Sequence, residues 1–138
     1  MVVIDTSIVY KWLREEDQRN LALKILDDFL DKKQEVMVPD LLLYELANVL
    51  ATKKGLSDKT ALEAWTYFSD LNLKYYYPTP AFMSKCLEFA RNKGVSVYDS
   101  AFAILAEENN CEFITADEQF IEKTNLPFVR HLGHYGFK

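Results

Sequence analysis

The chain has 138 residues, 49% of them hydrophobic, 27% charged and 14% aromatic, with four glycines and four prolines. Those values suit one globular domain over residues 1–138 that buries roughly 70% of its unfolded surface, and they exclude a disordered tail, a collagen-like rod and a coiled coil. Sixteen basic against 21 acidic residues leave a net charge of −5, which excludes a histone-like coat for nucleic acid but not an enzyme with a local site for it.

Val2-Val3-Ile4 is a short continuous apolar run, the pattern of a strand buried on both faces. Asp5-Thr6-Ser7 supplies N-cap chemistry for a short helix over Ile8–Leu13. From Asp17 to Lys32, Leu21, Ala22, Ile25, Leu26, Phe29 and Leu30 recur on one helical face. Glu35 to Val38 reads as a second strand closed by Pro39, and Asp40 as the cap of a helix running to Lys54 with Gly55 as its stop. Ser57 opens another helix, with Ala61, Leu62, Trp65 and Phe68 on one side. Leu73 to Tyr76 reads as an edge strand, because Pro78 and Pro80 follow closely. Thr79-Pro80 is a cap followed by proline at the first helical position, and that helix ends near Lys93-Gly94. Ser96 starts a helix through Asn109, Glu112 to Thr115 is a strand, Asp117 to Thr124 a short helix, and Pro127 to His131 a last strand. Alternating strands and helices predict an α/β/α sandwich around a central, mainly parallel sheet of four or five strands. In such sheets, sites form beyond the carboxyl ends of the strands.

Four acids stand where an unpaired acid is costly. Asp5 follows the first strand and Asp117 follows Phe113 to Ala116. Glu45 interrupts Leu41-Leu42-Leu43-Tyr44, and Asp99 lies at the start of an equally apolar helix. Burying a single ionised carboxylate without a partner costs several kcal/mol or forces it to take up a proton. Taken singly, each has a plainer reading: Asp5 and Asp117 as N-caps, Asp99 as a cap or a lysine partner, Glu45 as one half of an ion pair. No basic residue falls inside the apolar segments around Glu45 or Asp99, so the plain readings weaken when the four are taken together. Hard oxygen donors of this kind suit Mg²⁺ or Mn²⁺, one or two ions; phosphodiester hydrolysis is the natural chemistry, with metal-dependent phosphomonoester chemistry as the alternative.

These residues carry a resemblance. Val2-Val3-Ile4-Asp5-Thr6-Ser7, Pro39-Asp40 through Glu45 to Asn48-Val49-Leu50, and Val97-Tyr98-Asp99-Ser100-Ala101 leading to Ile114-Thr115-Ala116-Asp117 are similar, in order and across essentially the whole chain, to the motifs of PIN-domain ribonucleases. The likeness is greatest to the VapC-type toxins of VapBC toxin–antitoxin pairs. The resemblance implies a PIN-like fold and an RNA-cleaving, Mg²⁺- or Mn²⁺-dependent enzyme. It implies that Asp5, Glu45, Asp99 and Asp117 are the metal-binding acids, with Thr115 and Ser7 supporting the site by hydrogen bonds. It also implies a homodimer and a VapB-type antitoxin that blocks the site. Lys11 and Arg14, beside Tyr10 and Trp12, are candidate RNA contacts, against the plainer reading of Trp12 as core and the two cations as solvated charges.

Competing classes fit less well. A phosphoacceptor receiver needs adjacent acids after its first strand, and a haloacid-dehalogenase-like phosphatase needs a second Asp two residues on, where Ser7 stands. A PIN-like module that binds RNA or protein without cutting, and a housekeeping RNA-processing nuclease without antitoxin, remain the alternatives. With no secretory signal, no apolar stretch near the roughly 20 residues of a membrane helix, and Cys86 and Cys111 expected as free thiols, the expected compartment is the cytoplasm.

Overall fold

In the computed structural model, which describes residues 1–136, the short apolar runs become the inner strands of one parallel sheet. The strands are β1 (Val2–Ile4), β2 (Val36–Pro39), β3 (Lys74–Tyr76), β4 (Glu112–Thr115) and β5 (Val129–His131), in the order β3-β2-β1-β4-β5. Val3 pairs with Met37 on one side and Phe113 on the other, so β1 is central. All four pairings are parallel, so every strand's carboxyl end points to one edge. β1 and β2 are buried along their whole length, which is why they read as continuous apolar runs without alternation. β3 is a short edge strand ending before Pro78, so little unpaired backbone is offered for edge-to-edge association.

Among the described residues, seven α-helices flank the sheet: α1 (Thr6–Leu13), α2 (Arg19–Leu30), α3 (Leu41–Thr52), α4 (Asp58–Leu71), α5 (Pro80–Lys93), α6 (Val97–Glu108) and α7 (Glu118–Thr124). α6 lies against β1, β2 and β4 and carries α5 on its outer side, while α1 packs on α2 and α3. The burial of α6 is nearly continuous from Ser100 to Ala106, as its apolar sequence requires. Trp12 is a core residue, and its indole N–H donates to the Ala22 carbonyl at 2.8 Å, fastening α1 to α2. Expected caps form at Ser57, whose Oγ accepts from the Thr60 N–H at 3.1 Å, and at Thr79, which accepts from Phe82. Gly94 ends α5 at φ +70, a left-handed conformation that favours glycine.

Several boundaries differ from the sequence reading. α2 starts at Arg19, not Asp17, because Gln18 adopts φ 58 just before it. Asp40 is not a side-chain cap: its backbone is already helical, and its carboxylate makes no capping bond. Nor does Gly55 stop α3, which ends at Thr52 when Lys53 turns extended. Cys86 and Cys111 are free. No helix among the described residues is long and apolar enough to cross a membrane.

Candidate active site

The four acids come together along the carboxyl edge of the sheet because each sits at the start, or within the early turns, of a helix that begins there. Asp5 directly follows β1 and caps α1, its carboxylate accepting from the Ile8 N–H at 3.4 Å. Asp117 follows β4 and caps α7, accepting from the Phe120 N–H at 3.0 Å. Glu45 lies early in α3, and Asp99 in the first turn of α6. The capping readings of Asp5 and Asp117 therefore hold. Asp99 is neither the cap nor a lysine partner, and Glu45 is not half of an ion pair among the described residues. The cap of α6 is Ser96, whose Oγ accepts from the Asp99 N–H at 3.0 Å, and Glu45 is met by a hydroxyl, the Thr6 Oγ1 donating to its Oε1 at 2.7 Å.

Hydroxyls, not cations, hold the carboxylates of Asp5 and Glu45 in place. The Ser7 hydroxyl donates to Asp5 Oδ1 and the fully buried Thr115 hydroxyl to Asp5 Oδ2. Thr115 Oγ1 also accepts from the Asp117 N–H at 3.0 Å. One side chain thus fixes the ends of β1 and β4 relative to each other. Among the described residues, none of the four carboxylates has a lysine or arginine nitrogen within 4.0 Å.

Electrostatics bear the marks of this concentration of charge. Burial pushes the Asp5 carboxyl from 3.8 up to about 6; the Ser7, Thr115 and Ile8 hydrogen bonds act against that rise, and the charge of Asp99 adds to it. Burial and then Asp99 also raise Glu45, against the Thr6 hydrogen bond. Asp99 is raised by burial and by Asp117, against Ser96. Asp99 therefore couples to all three other acids. As the side chains stand, no three carboxylates among the described residues close on a common ion point; Asp5, Glu45 and Asp117 are each turned toward a local donor. In donor chemistry the set suits a hard divalent cation: all-oxygen, anionic and without a neutralising side chain.

The structure corrects one candidate contact. Lys11 is buried, its ammonium donating to the Asp17 carbonyl at 2.8 Å and standing 3.6 Å from Glu16, so it staples the α1–α2 loop and does not face a ligand. Arg14 lies just past α1 and lines a separate cavity with Lys53 and Lys54. The role of Thr6 is not legible in the sequence, since nothing in Asp-Thr-Ser indicates a reach to a glutamate 39 residues away. Ser96 was legible as a capping residue from the Ser96-Val-Tyr-Asp99 spacing. Beside the acids lies an apolar cavity of about 190 Å³, lined by Pro39, Leu41, Phe82 and Met83 and rimmed by Tyr44 and Tyr98.

Residues 2–126 match the PIN domain family model. The chain is 28% identical over 129 residues to Ribonuclease VapC3 of Pyrobaculum aerophilum, covering 88% of this chain and 93% of that protein. Among solved structures it resembles PAE2754 from Pyrobaculum aerophilum, with a TM-score of 0.72 at 19% identity over 96% of this chain and 83% of that one. A toxin–antitoxin complex from Klebsiella pneumoniae gives a TM-score of 0.71 at 11% identity, covering 96% and 98% of the two chains. The structural likenesses bear on the fold.

Proposed function

The chain belongs to the PIN domain family, and from that premise we propose that it is a metal-dependent endoribonuclease, the toxin of a toxin–antitoxin pair, acting through Asp5, Glu45, Asp99 and Asp117. The observation that carries this reading is the gathering of four acids at the carboxyl edge of the sheet, with hydroxyl and backbone donors on them and, among the described residues, no lysine or arginine nitrogen within 4.0 Å. A fold that only needed caps would not set four acids along one edge and raise three of them. Magnesium or manganese, when bound, supplies an activated water and neutralises charge on the phosphodiester. The chain's own residues do the rest. Asp5, Glu45, Asp99 and Asp117 would hold the cation. Thr115 and Ser7 orient Asp5, and Thr6 orients Glu45, by donating to their oxygens. Burial of Asp5 lowers the local dielectric, strengthening its attraction for a cation once it is ionised.

The partner readings follow from the same premise. Similarity to Ribonuclease VapC3 supports RNA as substrate and, with it, a VapB-type antitoxin; the fold shared with the Klebsiella pneumoniae toxin–antitoxin complex is in keeping with an antitoxin partner. A second copy of the chain suits the exposed aromatic rim, where Tyr44 is 76% and Tyr98 62% exposed. The free thiols suit a reducing cytoplasm. The test is cleavage of single-stranded RNA by purified protein in Mg²⁺ or Mn²⁺. Wild type should cut and Asp5→Asn should not; intact RNA with both proteins, or equal cutting by both, removes the proposal.

A further inference from the structure

We propose that the cavity formed by Tyr10, Arg14, Lys53, Lys54, Gly55 and Leu56 is a subsite for the RNA phosphodiester backbone, a few nucleotides from the bond that is cut. It rests on the ribonuclease reading only for the identity of the anion. The cavity, of about 140 Å³, opens where the end of α1 meets the end of α3. Two acids, Glu15 and Glu16, share its wall, and both already hold cations from outside it: Glu15 bonds Arg19 at 2.6 Å, and Glu16 lies 3.6 Å from Lys11. The three cations in the wall have no such partner. Among the described residues, Arg14, Lys53 and Lys54 form no ion pair, and the Lys53 ammonium is set 5.7 Å over the Tyr10 ring. In a chain of net charge −5, three cations left uncompensated around one concavity mark an anion site.

Its placement selects a chain-like anion over a free one. The helices that carry the site acids also lead to this cavity. Asp5 caps α1, which ends at Leu13 beside Arg14, and Glu45 lies in α3, which ends just before Lys53. Thr6 touches Glu45 at one end of this helix pair, and Tyr10 touches Lys53 at the other. Glu45 and Lys53 are eight residues apart, about 12 Å at the helical rise. A few nucleotides of extended backbone bridge that distance. Single-stranded nucleic acid binds in this manner, with spaced cations tracking the phosphates while chemistry proceeds elsewhere.

The experiment measures binding of a fluorescein-labelled single-stranded RNA, long enough to run from the acids past the cavity, by anisotropy across a salt series. Asp99→Asn is the common background, so that the probe is not cut. Neutralising Arg14, Lys53 and Lys54 together (R14Q, K53Q, K54Q) should lower the slope of log affinity against log salt by about 2, at roughly 0.7 per phosphate contact. R14Q with K54Q alone, which keeps Lys53 on Tyr10, should lower it by about 1.4 and guards against a folding defect in the triple variant. The charge-matched control K24Q, K59Q, K85Q should leave the slope unchanged. An unchanged slope in the cavity variants, an equal fall in the control, or no measurable binding overturns the subsite. So does loss of binding to a glutamate-rich peptide with RNA binding intact, which would make the cavity a protein dock. Cleavage by wild type in Mn²⁺ is scored separately. Binding with the predicted slopes but no cutting keeps the subsite and removes the ribonuclease; cutting with unaltered slopes does the reverse.

Discussion

Replacing Asp5 by asparagine should make the metal-free protein more stable at neutral pH while abolishing its response to metal. In the fold the Asp5 carboxyl is pushed from 3.8 to about 6, chiefly by burial. That difference corresponds to about 3 kcal/mol. Because the folded form holds the proton more tightly, the stabilising contribution is complete below pH 3.8 and is lost as pH rises through about 6. At pH 7 the ionised group therefore weighs against the metal-free fold. Asparagine carries no charge at any of these pH values, but it has one acceptor oxygen where the carboxylate has two. Either Ser7 or Thr115 must then turn its hydroxyl, at about 1 kcal/mol. The net expectation is about 2 kcal/mol of added stability at pH 7 in chelator, or roughly 8 °C in melting temperature for a chain of this size. Well below pH 4, where wild type recovers the full ~3 kcal/mol, the gain should turn into a deficit of about 1 kcal/mol. Saturating Mn²⁺ should reverse the order: at a hundredfold over its dissociation constant it adds about 2.7 kcal/mol to wild type and little to Asp5→Asn. Thermal melts at two pH values, with and without Mn²⁺, read all of this. A variant less stable than wild type in chelator at pH 7, or one that gains as much from Mn²⁺, would refute the reasoning.

Thr115→Val keeps the shape of a buried side chain but removes a donor to Asp5 and an acceptor for the Asp117 N–H; urea denaturation should show a loss of about 2 kcal/mol. Because that hydroxyl holds Asp5 down, the acidic limb of the variant's cleavage profile should also move to higher pH. In wild type, RNA cleavage at fixed, subsaturating Mn²⁺ should fall as pH drops through about 6, as Asp5 takes up its proton. Raising Mn²⁺ should carry the limb to lower pH, and a limb indifferent to Mn²⁺ would mean that Asp5 does not compete for the ion. Asp117→Ala should lose about 1 kcal/mol from the α7 cap, whereas Asp117→Asn should retain most of the cap. Cleavage should disappear in both, and melting curves beside activity assays separate the two roles.

What the sequence reveals here follows from how locally each feature is determined. Val2-Val3-Ile4 and Phe113-Ile114 can only be inner strands, so Asp5 and Asp117 are legible at their carboxyl ends, where parallel topology gathers sites. Glu45 is legible because a lone acid in Leu41-Leu42-Leu43-Tyr44 demands a reason. The supporting hydroxyls differ. Ser7 is two residues from its partner, but Thr6 reaches 39 residues and Thr115 reaches 110, and no local pattern encodes such a meeting. Lys11 shows the opposite failure: beside Trp12 it reads as surface charge, yet the loop after α1 folds back and takes its ammonium at the Asp17 carbonyl. The loop turns back where Gln18 adopts a left-handed backbone, which is rare enough without glycine that propensity does not foresee it. Arg14 and Lys53-Lys54 become one group only when α1 and α3 lie side by side.

The central claim is that Asp5, Glu45, Asp99 and Asp117 act as one metal site that cuts RNA. The direct measurement is the rate of single-stranded RNA cleavage as Mn²⁺ is added back to chelator-treated protein, with Asp99→Asn run beside wild type. Asp99 is the choice because its charge reaches all three other acids. Wild type should be silent in chelator and rise to a plateau with Mn²⁺, while Asp99→Asn stays flat over the same range. Cleavage that persists in chelator, or an Asp99→Asn curve that overlays wild type, would contradict the account.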